Sequence, residues 1–333
     1  MKKYLIVTAE DGFFAQGKYP WSSMDILVIK ESLASDGSSV DIVTFSYLKE
    51  NIKKLDGYII IYTSSQRIEH KKYIEDVVYL LKDKNTLIPS YEAFLAHDNK
   101  GFQSILDKKY DLGLIPSAYF CDLTEIPDIE RVEFPLVYKP ANGASSTGVR
   151  KVSTISELKE AVREPFSISL ESIKYLLKKY IFKSRYNAKW YEYLAFAKNR
   201  FLIQKFIPGL EYDYKVLIFG DKYFILKRYV AENDFKASGS GIHSRDIGSD
   251  LVPVLNRARD FKNKFKSHIY SLDICIKGNS TFIIEFQMTH VGPVTLTESD
   301  CYFKYDEETH EWSEINSKSI LEIEFANAVK QYL

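Results

Sequence analysis

Two apolar runs near the end of the chain contain the residues best suited to chemistry. Asp273 lies in the first run, and Glu285 and Gln287 lie in the second, beyond a short polar turn about Asn279. Because side chains alternate along a strand, Glu285 and Gln287 share one face. Folding the two runs into a hairpin about Asn279 sets Asp273 directly opposite Glu285, where Cβ atoms lie about 4.5–5.5 Å apart.

Two carboxylates at that separation repel each other unless a cation or a proton lies between them. Ligands that are all oxygen indicate magnesium, with manganese as the alternative, rather than zinc. The competing interpretation is a solvated strand face with incidental acids, which the apolar neighbours argue against because they predict buried strands. His290 follows the second run, and we favour an ordinary loop residue or a substrate contact over a metal ligand.

A second candidate site is an apolar strand that delivers one lysine, Lys139, into a loop of small residues, 141–149. Such a loop exposes backbone N–H groups that can bind a phosphate, and a lysine at its base neutralises phosphate charge. The loop alone is equally compatible with a hairpin tip, because Asn142-Gly143 is a strong turn dipeptide. The Walker spacing is absent, since no Lys-Ser or Lys-Thr follows Gly148.

Composition narrows the class of protein. The 333 residues include 45 Lys and Arg against 45 Asp and Glu, so the net charge of zero predicts no nucleic-acid partner. The 3 cysteines lie far apart, which predicts neither a zinc cluster nor a disulfide scaffold. No segment approaches about 18 consecutive apolar residues, so we expect no membrane span. The apolar start, 4–7, is too short for a signal peptide, and we expect a cytoplasmic protein.

The elements that must position these residues follow from periodicity. Roughly the first 90 residues alternate strand and helix patterns, which predicts an α/β fold with a small open parallel sheet. No GxGxxG motif is present, so no dinucleotide site is predicted there. The strand patterns lie at 4–8, 40–45, 57–62 and 86–88, and the helical patterns at 22–34 and 68–82.

The rest of the chain mixes strands and helices. Predicted strands lie at 136–139, 201–207, 213–219, 222–229, 271–276 and 281–287. Predicted helices lie at 98–109, 252–265 and 317–332. A mobile loop is predicted at 237–250. The helical stretch 156–198 includes most of a segment, 174–200, that has eight Lys or Arg, one acid and eight aromatic residues. We favour a helix pair with an aromatic core face over a contact surface for an anionic substrate.

In this order, the elements over about residues 97–293 resemble the ATP-grasp superfamily. The resemblance is to its carboxylate–amine ligases, the type that includes RimK and D-alanine–D-alanine ligases. The resemblance implies the ATP-grasp fold, α/β and in part α+β, with a small parallel N-terminal α/β domain and a two-lobed nucleotide site between β-sheets. It implies domains at 1–97, at 98–135 (a linker and central helix), at 136–207 (a small lobe with the insert 156–200) and at 208–333 (a large lobe).

The resemblance also implies site roles. ATP would contact its phosphate lysines Lys100 and Lys139 and a covering loop, represented by Asn142, Gly143, Ser145, Ser146, Thr147 and Gly148. Adenine would lie against the hinge residues Gln204, Lys205, Phe206 and Ile207. Asp213 would bind the ribose hydroxyls, with Glu211 as the runner-up and Lys215 beside them; magnesium would be held by Asp273, Glu285 and Gln287.

Two positions depart from the family pattern. Gln287 stands where the family usually has asparagine, which keeps an amide oxygen on a longer arm. Lys236 stands where RimK-type ligases carry arginine, so the charge is kept but the bidentate fork is lost. Arg228 and Arg245 are therefore further candidates for the cation that stabilises an acyl phosphate.

The implied activity is an ATP-dependent carboxylate–amine ligase, which forms an amide through an acyl phosphate and releases ADP and phosphate. The substrates would be a small-molecule or sugar-derived carboxylate and an amine donor, and a homodimer stays open. A phosphotransferase on the same fold is the alternative, and a non-catalytic ATP-binding module is a weaker one.

Overall fold

The computed structural model describes residues 2–19, 21–65, 67–97, 99–142, 148–163, 170–183, 186–189, 200–232 and 234–333. The chain divides into two compact units. Unit 1 comprises Met1–Asp98, Leu106–Leu114 and Gly209–Leu333, and unit 2 comprises Asn99–Ile105 and Ile115–Pro208. The N-terminal domain and the large lobe predicted from the sequence therefore belong to one unit, built from three stretches of chain.

Unit 1 begins with a parallel sheet of strand order β2-β1-β3-β4, as the alternating pattern predicts. Its strands are β1 (Lys3–Thr8), β2 (Ser39–Thr44), β3 (Ile59–Ile61) and β4 (Thr86–Ile88), and its helices are α1 (Ile26–Ala34), α2 (Phe45–Asn51), α3 (Ile68–Leu81) and α4 (Tyr91–Ala96). The strands are apolar runs because helices cover both faces of such a sheet.

A capping residue explains two of the element ends that differ from the prediction. Helix α1 begins at Ile26, because the Asp25 carboxylate caps it by accepting the backbone N–H groups of Leu27 and Val28. Ser23 lies within the predicted helix 22–34, but its hydroxyl bonds the backbone of Phe14 in the preceding loop. Phe45, predicted as a strand end, starts the unpredicted helix α2 behind its cap Thr44.

Unit 2 contains an antiparallel sheet of order β5-β8-β6-β7. Its strands are β5 (Ser117–Phe120), β6 (Leu136–Pro140), β7 (Arg150–Val152) and β8 (Phe201–Lys205), and the helices are α5 (Lys100–Tyr110), which unit 1 shares, α6 (Ile155–Arg163) and α7 (Leu170–Tyr180). One sheet face packs on α6 through Tyr138, Phe201 and Leu158. The described part of the stretch 156–198 thus forms two helices, and residues 190–199 of the basic aromatic segment lie outside the described residues.

The second sheet of unit 1 is antiparallel, in the order β13-β12-β9-β10-β14-β15, with β11 beside β10. Its strands are β9 (Tyr212–Phe219), β10 (Lys222–Tyr229), β11 (His243–Ser244), β12 (Ile269–Lys277), β13 (Ser280–Gln287), β14 (Cys301–Tyr305) and β15 (Trp312–Asn316), and the helices are α8 (Leu251–Lys264), α9 (Val294–Thr297) and α10 (Leu321–Tyr332). Helix α10 joins the core shared by both sheets, where Phe325 packs edge-on to Phe14.

The segment 237–250, predicted as a mobile loop, contains β11, whose His243 pairs with Arg228. Strands β5, β7, β14 and β15 were not predicted. Among the described residues, no helix is both long enough and apolar enough to cross a membrane.

Candidate functional site

One face of the second sheet of unit 1 carries a cluster of polar side chains, which we call the charged face. Strands β13, β12 and β9 place Glu285, Asp273 and Lys215 in one row. The opposite face of these strands is buried and apolar, through Tyr214, Val216, Leu272, Ile274 and Phe286. The charged face consists of Asp213, Lys215, Arg228, Asp273, Glu285 and Gln287.

Asp273 lies directly opposite Glu285, which confirms the predicted pairing. The turn that produces it is shorter than predicted, because only Gly278 and Asn279 lie between the paired residues of β12 and β13. Gly278 has a φ of +58°, which glycine adopts at little cost at the first central position of a two-residue hairpin turn.

A β-bulge then restores the alignment of the acids. Near the turn, the register of β12 and β13 pairs Ile274 with Ile283. If this register continued without interruption, Asp273 would lie opposite Ile284. The structure instead pairs Asp273 with Glu285, so Ile284 is the additional residue. Without the bulge, Glu285 would turn to the other sheet face, because a shift of one residue reverses every side chain.

Arg228 joins two acids of the charged face. Its Nε and Nη2 atoms donate to the two carboxylate oxygens of Asp213 at 2.7 and 2.9 Å. The Nη2 atom also lies 2.9 Å from Oδ2 of Asp273. The Arg228 side chain is 14% exposed and that of Asp213 is 4% exposed, so this ion pair is largely shielded from water.

Burial dominates the electrostatics of the charged face. It raises the pKa of Asp213 to about 6, although Arg228 acts in the opposite direction. It lowers the pKa of Lys215, against the attraction of Asp273. At Arg228 burial acts to lower the pKa, but the carboxylates of Asp273 and Asp213 together outweigh it, so the pKa is raised and the group stays protonated.

These contacts bear on two of the expected roles. Asp213 holds both of its oxygens in the pair with Arg228, whereas the runner-up for the ribose, Glu211, is exposed at the start of β9. Arg228 is engaged by two carboxylates, which argues against it as the cation for an acyl phosphate. Sequence reasoning missed this pair, although folding the predicted strand 213–219 onto 222–229 about Gly220 and Asp221 sets Asp213 opposite Arg228.

The other two candidate cations lie nearby in the chain. The Lys236 ammonium group is 3.9 Å from the carboxylate of Asp234 and 5.7 Å from the centre of the Phe235 ring. Arg245 follows β11, is exposed, and donates to the backbone carbonyl of Thr295 at 3.4 Å. Neither residue is held in a buried ion pair of the kind that engages Arg228.

The donors on the charged face suit a hard cation. Asp273 and Glu285 offer carboxylate oxygens from adjacent positions, and Gln287 offers an amide oxygen from the same strand as Glu285. The described residues contain no group of three or more His, Cys, Asp and Glu side chains arranged for a metal. The set is therefore two acids and an amide, and its chemistry fits magnesium or manganese better than zinc.

Unit 2 gathers the predicted phosphate lysines. The backbone N–H of Lys100 donates to the carbonyl of Ala141 at 2.8 Å, so helix α5 begins beside the end of β6. Pairing of β6 with β8 places Lys139 and Gln204 on the sheet face opposite the apolar core. The exposed fractions of Lys100, Lys139 and Gln204 are 6%, 6% and 3%.

The hinge and the covering loop are described in part. The backbone N–H of Lys205 donates to the carbonyl of Pro116 at 2.9 Å, and the Lys151 ammonium group lies 4.6 Å from the centre of the Phe206 ring. Ile207 follows, half-buried. In the covering loop, Asn142 accepts from Arg200 and Gly148 has a φ of +74°; Gly143, Ser145, Ser146 and Thr147 lie outside the described residues.

Comparison with known proteins identifies the architecture. A family model for the C-terminal part of D-Ala D-Ala ligases matches residues 123–173, which include β6 and Lys139. Comparison with curated proteins gives no match.

Among the solved structures that are similar to this chain, three cover most of its length. N5-carboxyaminoimidazole synthetase from Staphylococcus aureus, complexed with ADP, is 10% identical over 93% of this chain and 76% of its own, with a TM-score of 0.54. D-cycloserine synthetase is 11% identical over 99% of this chain and 100% of its own, with a TM-score of 0.53. An L-amino acid ligase from Bacillus licheniformis is 13% identical over 89% of this chain and 70% of its own, with a TM-score of 0.51. At these identities the similarity is one of fold.

Proposed function

Since this chain has the ATP-grasp fold, we propose that it is an ATP-dependent ligase that joins a carboxylate to an amine. The three similar structures are named as two synthetases and a ligase, which supports the class of reaction and not a particular substrate. The carboxylate is a small molecule, and the amine is the second substrate.

The observation that carries this proposal is the pairing of Asp273 with Glu285 on one sheet face, beside Lys215. A carboxylate can attack the γ-phosphate only if the negative charges of both partners are neutralised. The two acids and Gln287 would hold magnesium, which when bound neutralises phosphate charge. Lys215 supplies a cation in the same row.

The reaction conserves atoms through two displacements. A substrate carboxylate oxygen attacks the γ-phosphorus of ATP, the bond to the β-phosphate oxygen breaks, and ADP leaves. The amine nitrogen then attacks the carbonyl carbon of the acyl phosphate, inorganic phosphate leaves, and the nitrogen loses a proton. No covalent protein intermediate is required, so no protein nucleophile is assigned.

Residues of unit 2 would hold the nucleotide. Lys100 and Lys139 bind the phosphates, and Gln204 with the hinge, Lys205 to Ile207, binds the adenine. Because the N–H of Lys205 bonds Pro116, its carbonyl and the backbone of Ile207 are the groups assigned to the base edge.

Two assignments follow from the contacts within unit 1. Glu211 is assigned to the ribose hydroxyls in place of Asp213, whose carboxylate is buried against Arg228. Lys236 and Arg245 remain the candidates for the acyl phosphate, because Arg228 is held by Asp213 and Asp273.

The test is a screen of carboxylate and amine pairs for magnesium-dependent ADP release. Activity should be lost in Asp273→Asn and Glu285→Gln, while Glu314→Gln, which changes an exposed acid on β15, should retain it. With hydroxylamine as the amine, the ligase forms a hydroxamate. A stable phosphorylated product without hydroxamate would indicate a phosphotransferase, and tight ATP binding without turnover for any pair would indicate a binding module.

A further inference from the structure

A cavity of about 730 Å³ lies in unit 1 at the carboxyl ends of β1 and β3. We call it the strand-end cavity. In the order β2-β1-β3-β4, β2 lies on one side of β1 and β3 lies on the other. The direction in which successive strands are added to the sheet therefore reverses at β1. Open parallel sheets bind ligands at the carboxyl ends of the strands where the order reverses in this way.

The floor of the strand-end cavity carries polar groups that lack partners. Thr63, Ser64 and His290 line it and are 4%, 3% and 8% exposed. Among the described residues, the two hydroxyls and both ring nitrogens of His290 have no partner at hydrogen-bonding geometry, although the Ser64 backbone lies close to the ring. Buried polar atoms without partners cost free energy, so a ligand that bonds them would recover that cost.

The floor is also uncharged. Burial lowers the pKa of His290, with the Ser64 backbone acting in the opposite direction, so the ring is neutral near pH 7. Hydroxyls and a neutral imidazole can each donate and accept. They suit a ligand portion that bears hydroxyls better than an ammonium or carboxylate group, which would need a buried counter-charge.

The mouth of the cavity is aromatic and carries charges of both signs, because Arg67 lines it as well as two acids. Trp21 lines it, is 78% exposed, and stacks on Tyr19 at 5.2 Å between ring centres with an angle of 3°. An exposed, rigid ring face binds the C–H face of a saturated ring, because the π-face is electronegative. Glu10 and Asp11 also line the cavity, and carboxylates accept from neighbouring hydroxyls.

The segment that follows β13 connects the strand-end cavity to the surroundings of Lys215. His290 lies three residues beyond Gln287, the last residue of β13. A Cβ atom added to Gly292 would lie 3.9 Å from the Lys215 ammonium nitrogen. The segment that ends β13 therefore contributes both to the cavity floor and to the surroundings of Lys215, all within unit 1.

We propose that the strand-end cavity binds the uncharged, hydroxyl-rich part of a sugar-like carboxylate, with the sugar ring against Trp21 and its hydroxyls on Thr63, Ser64 and His290. This inference rests on the proposed ligase function, because it names the class of carboxylate that the ligase activates. The cavity is also far larger than a small amino acid requires.

The test measures direct binding of hexuronates (glucuronate, galacturonate and mannuronate) to the full chain without ATP, by calorimetry. Alanine and glutamate serve as comparison probes. At least one hexuronate should bind, and Thr63→Val and Trp21→Ala should each weaken it about tenfold, the scale of one good contact. Tyr79→Ala, which removes an exposed aromatic residue that does not line the cavity, should leave binding unchanged.

Stability separates a ligand contact from a structural role. Thr63→Val replaces an unpartnered hydroxyl with a methyl group of similar volume, so the unfolding midpoint without ligand should be unchanged or higher. A lower midpoint would assign Thr63 a structural role. The inference is overturned if no hexuronate binds, if both variants bind it like the parent, or if the amino acids bind the cavity in its place.

The outcome is separable from that of the proposed function. Glu285→Gln should retain hexuronate binding while losing ADP release. Hexuronate binding without ADP release for any amine would refute the ligase and keep the cavity assignment. ADP release with other carboxylates, without any hexuronate binding, would keep the ligase and refute the sugar-like substrate.

Discussion

Arg228 determines how charge is distributed over the charged face. Two carboxylates, Asp213 and Asp273, receive its N–H groups, and Asp273 also pairs across the sheet with Lys215. A buried ion pair contributes little net stability when intact, because desolvation offsets attraction, but removing one partner leaves an uncompensated charge. We therefore propose that Arg228 positions Asp273 and does not contact substrate.

Arg228→Met should therefore destabilise the protein strongly. We expect a loss of about 3–5 kcal/mol in the free energy of unfolding, measured by urea denaturation, since Asp213 loses its cation in a buried site. Arg228→Met combined with Asp213→Asn should recover a large part of this loss. Arg131→Met is the control, because its pair with Asp128 is exposed (84% and 70%) and should change the unfolding free energy by less than about 1 kcal/mol. A loss as small as that of the control would contradict the assigned role.

His268 gives a prediction about pH. It is buried edge-on against Phe325 at 5.2 Å between ring centres, and burial lowers its pKa to about 3. The unfolded chain takes up a proton near pH 6.5 and the folded chain does not, so stability falls as the pH falls below that value. From about pH 7.5 to about pH 5 this residue should remove about 2 kcal/mol of the free energy of unfolding.

Urea unfolding at these two pH values tests the prediction by comparison of variants. His268→Phe should show a smaller loss than the parent protein, by about 2 kcal/mol. His243→Gln, which changes an exposed histidine, should lose as much as the parent. Equal losses in His268→Phe and the parent would show that His268 is protonated in the folded state.

The sequence predicted part of the charged face, and the limits have a physical cause. Alternation and a turn centred on Asn279 predicted the pairing of Asp273 with Glu285, but in the structure a shorter turn and a β-bulge together produce it. The burial of Asp213 was not predicted, because it depends on packing between strands that are distant along the chain. The role expected for Asp213 at a ribose came from its position in a motif, and motif position does not report which carboxylate is shielded by an arginine.

At the level of elements, the start of α5 depends on one glycine. A Cβ atom on Gly101 would lie 2.2 to 2.5 Å from the ring atoms of Tyr119 on β5. The helix therefore approaches the ring more closely than any other residue type permits. Since Lys100 is the first residue of α5, this contact helps to fix the position of a proposed phosphate ligand.

Gly101→Ala should displace the start of α5 from β5. Forcing a methyl group into a packed contact costs about 1–3 kcal/mol, and we expect both a lower unfolding free energy and a higher dissociation constant for ATP. A second substitution, Tyr119→Leu, should restore part of both quantities in the Gly101→Ala background. Calorimetric ATP titration and urea unfolding of the single and double variants provide the measurements. Unchanged ATP affinity in Gly101→Ala would show that the position of Lys100 does not depend on this contact.

Element prediction succeeded where a pattern was long. The amphipathic helix α3 and the strands β9, β10, β12 and β13 begin and end within about two residues of the predicted limits. The short strands β5 and β7 were missed because three or four residues carry too little periodicity to distinguish a strand from a loop. Strand β11 is also short, and its pairing with β10 is a tertiary contact that local sequence does not specify.

For the whole molecule, chain order and spatial grouping differ. Unit 1 joins the parallel sheet at the start of the chain to the antiparallel sheet at its end, and α10 packs against α1 with Lys330 bonding Ser35 and Glu322 accepting from Asp25. Sequence analysis placed these two parts in separate domains because it proceeds along the chain. Periodicity shows that α10 has an apolar face but does not show what covers it.

Binding of ATP should stabilise the whole chain, and Lys139 should determine how much. A ligand that binds only the folded state adds about 2.7 kcal/mol to the free energy of unfolding at one hundred times its dissociation constant. If Lys139→Ala weakens ATP binding tenfold through lost phosphate contact, the same ATP concentration should add only about 1.4 kcal/mol. Urea unfolding with and without ATP and magnesium measures both quantities. Lys159→Ala, which changes an exposed residue on α6, should retain the full increment.

Because Lys139 is buried on β6, its substitution can also change stability without ligand. Only the difference in unfolding free energy with and without ATP therefore tests the phosphate role. An equal increment in Lys139→Ala and the parent would remove this lysine from the proposed ATP site and leave Lys100 as its remaining phosphate lysine in unit 2.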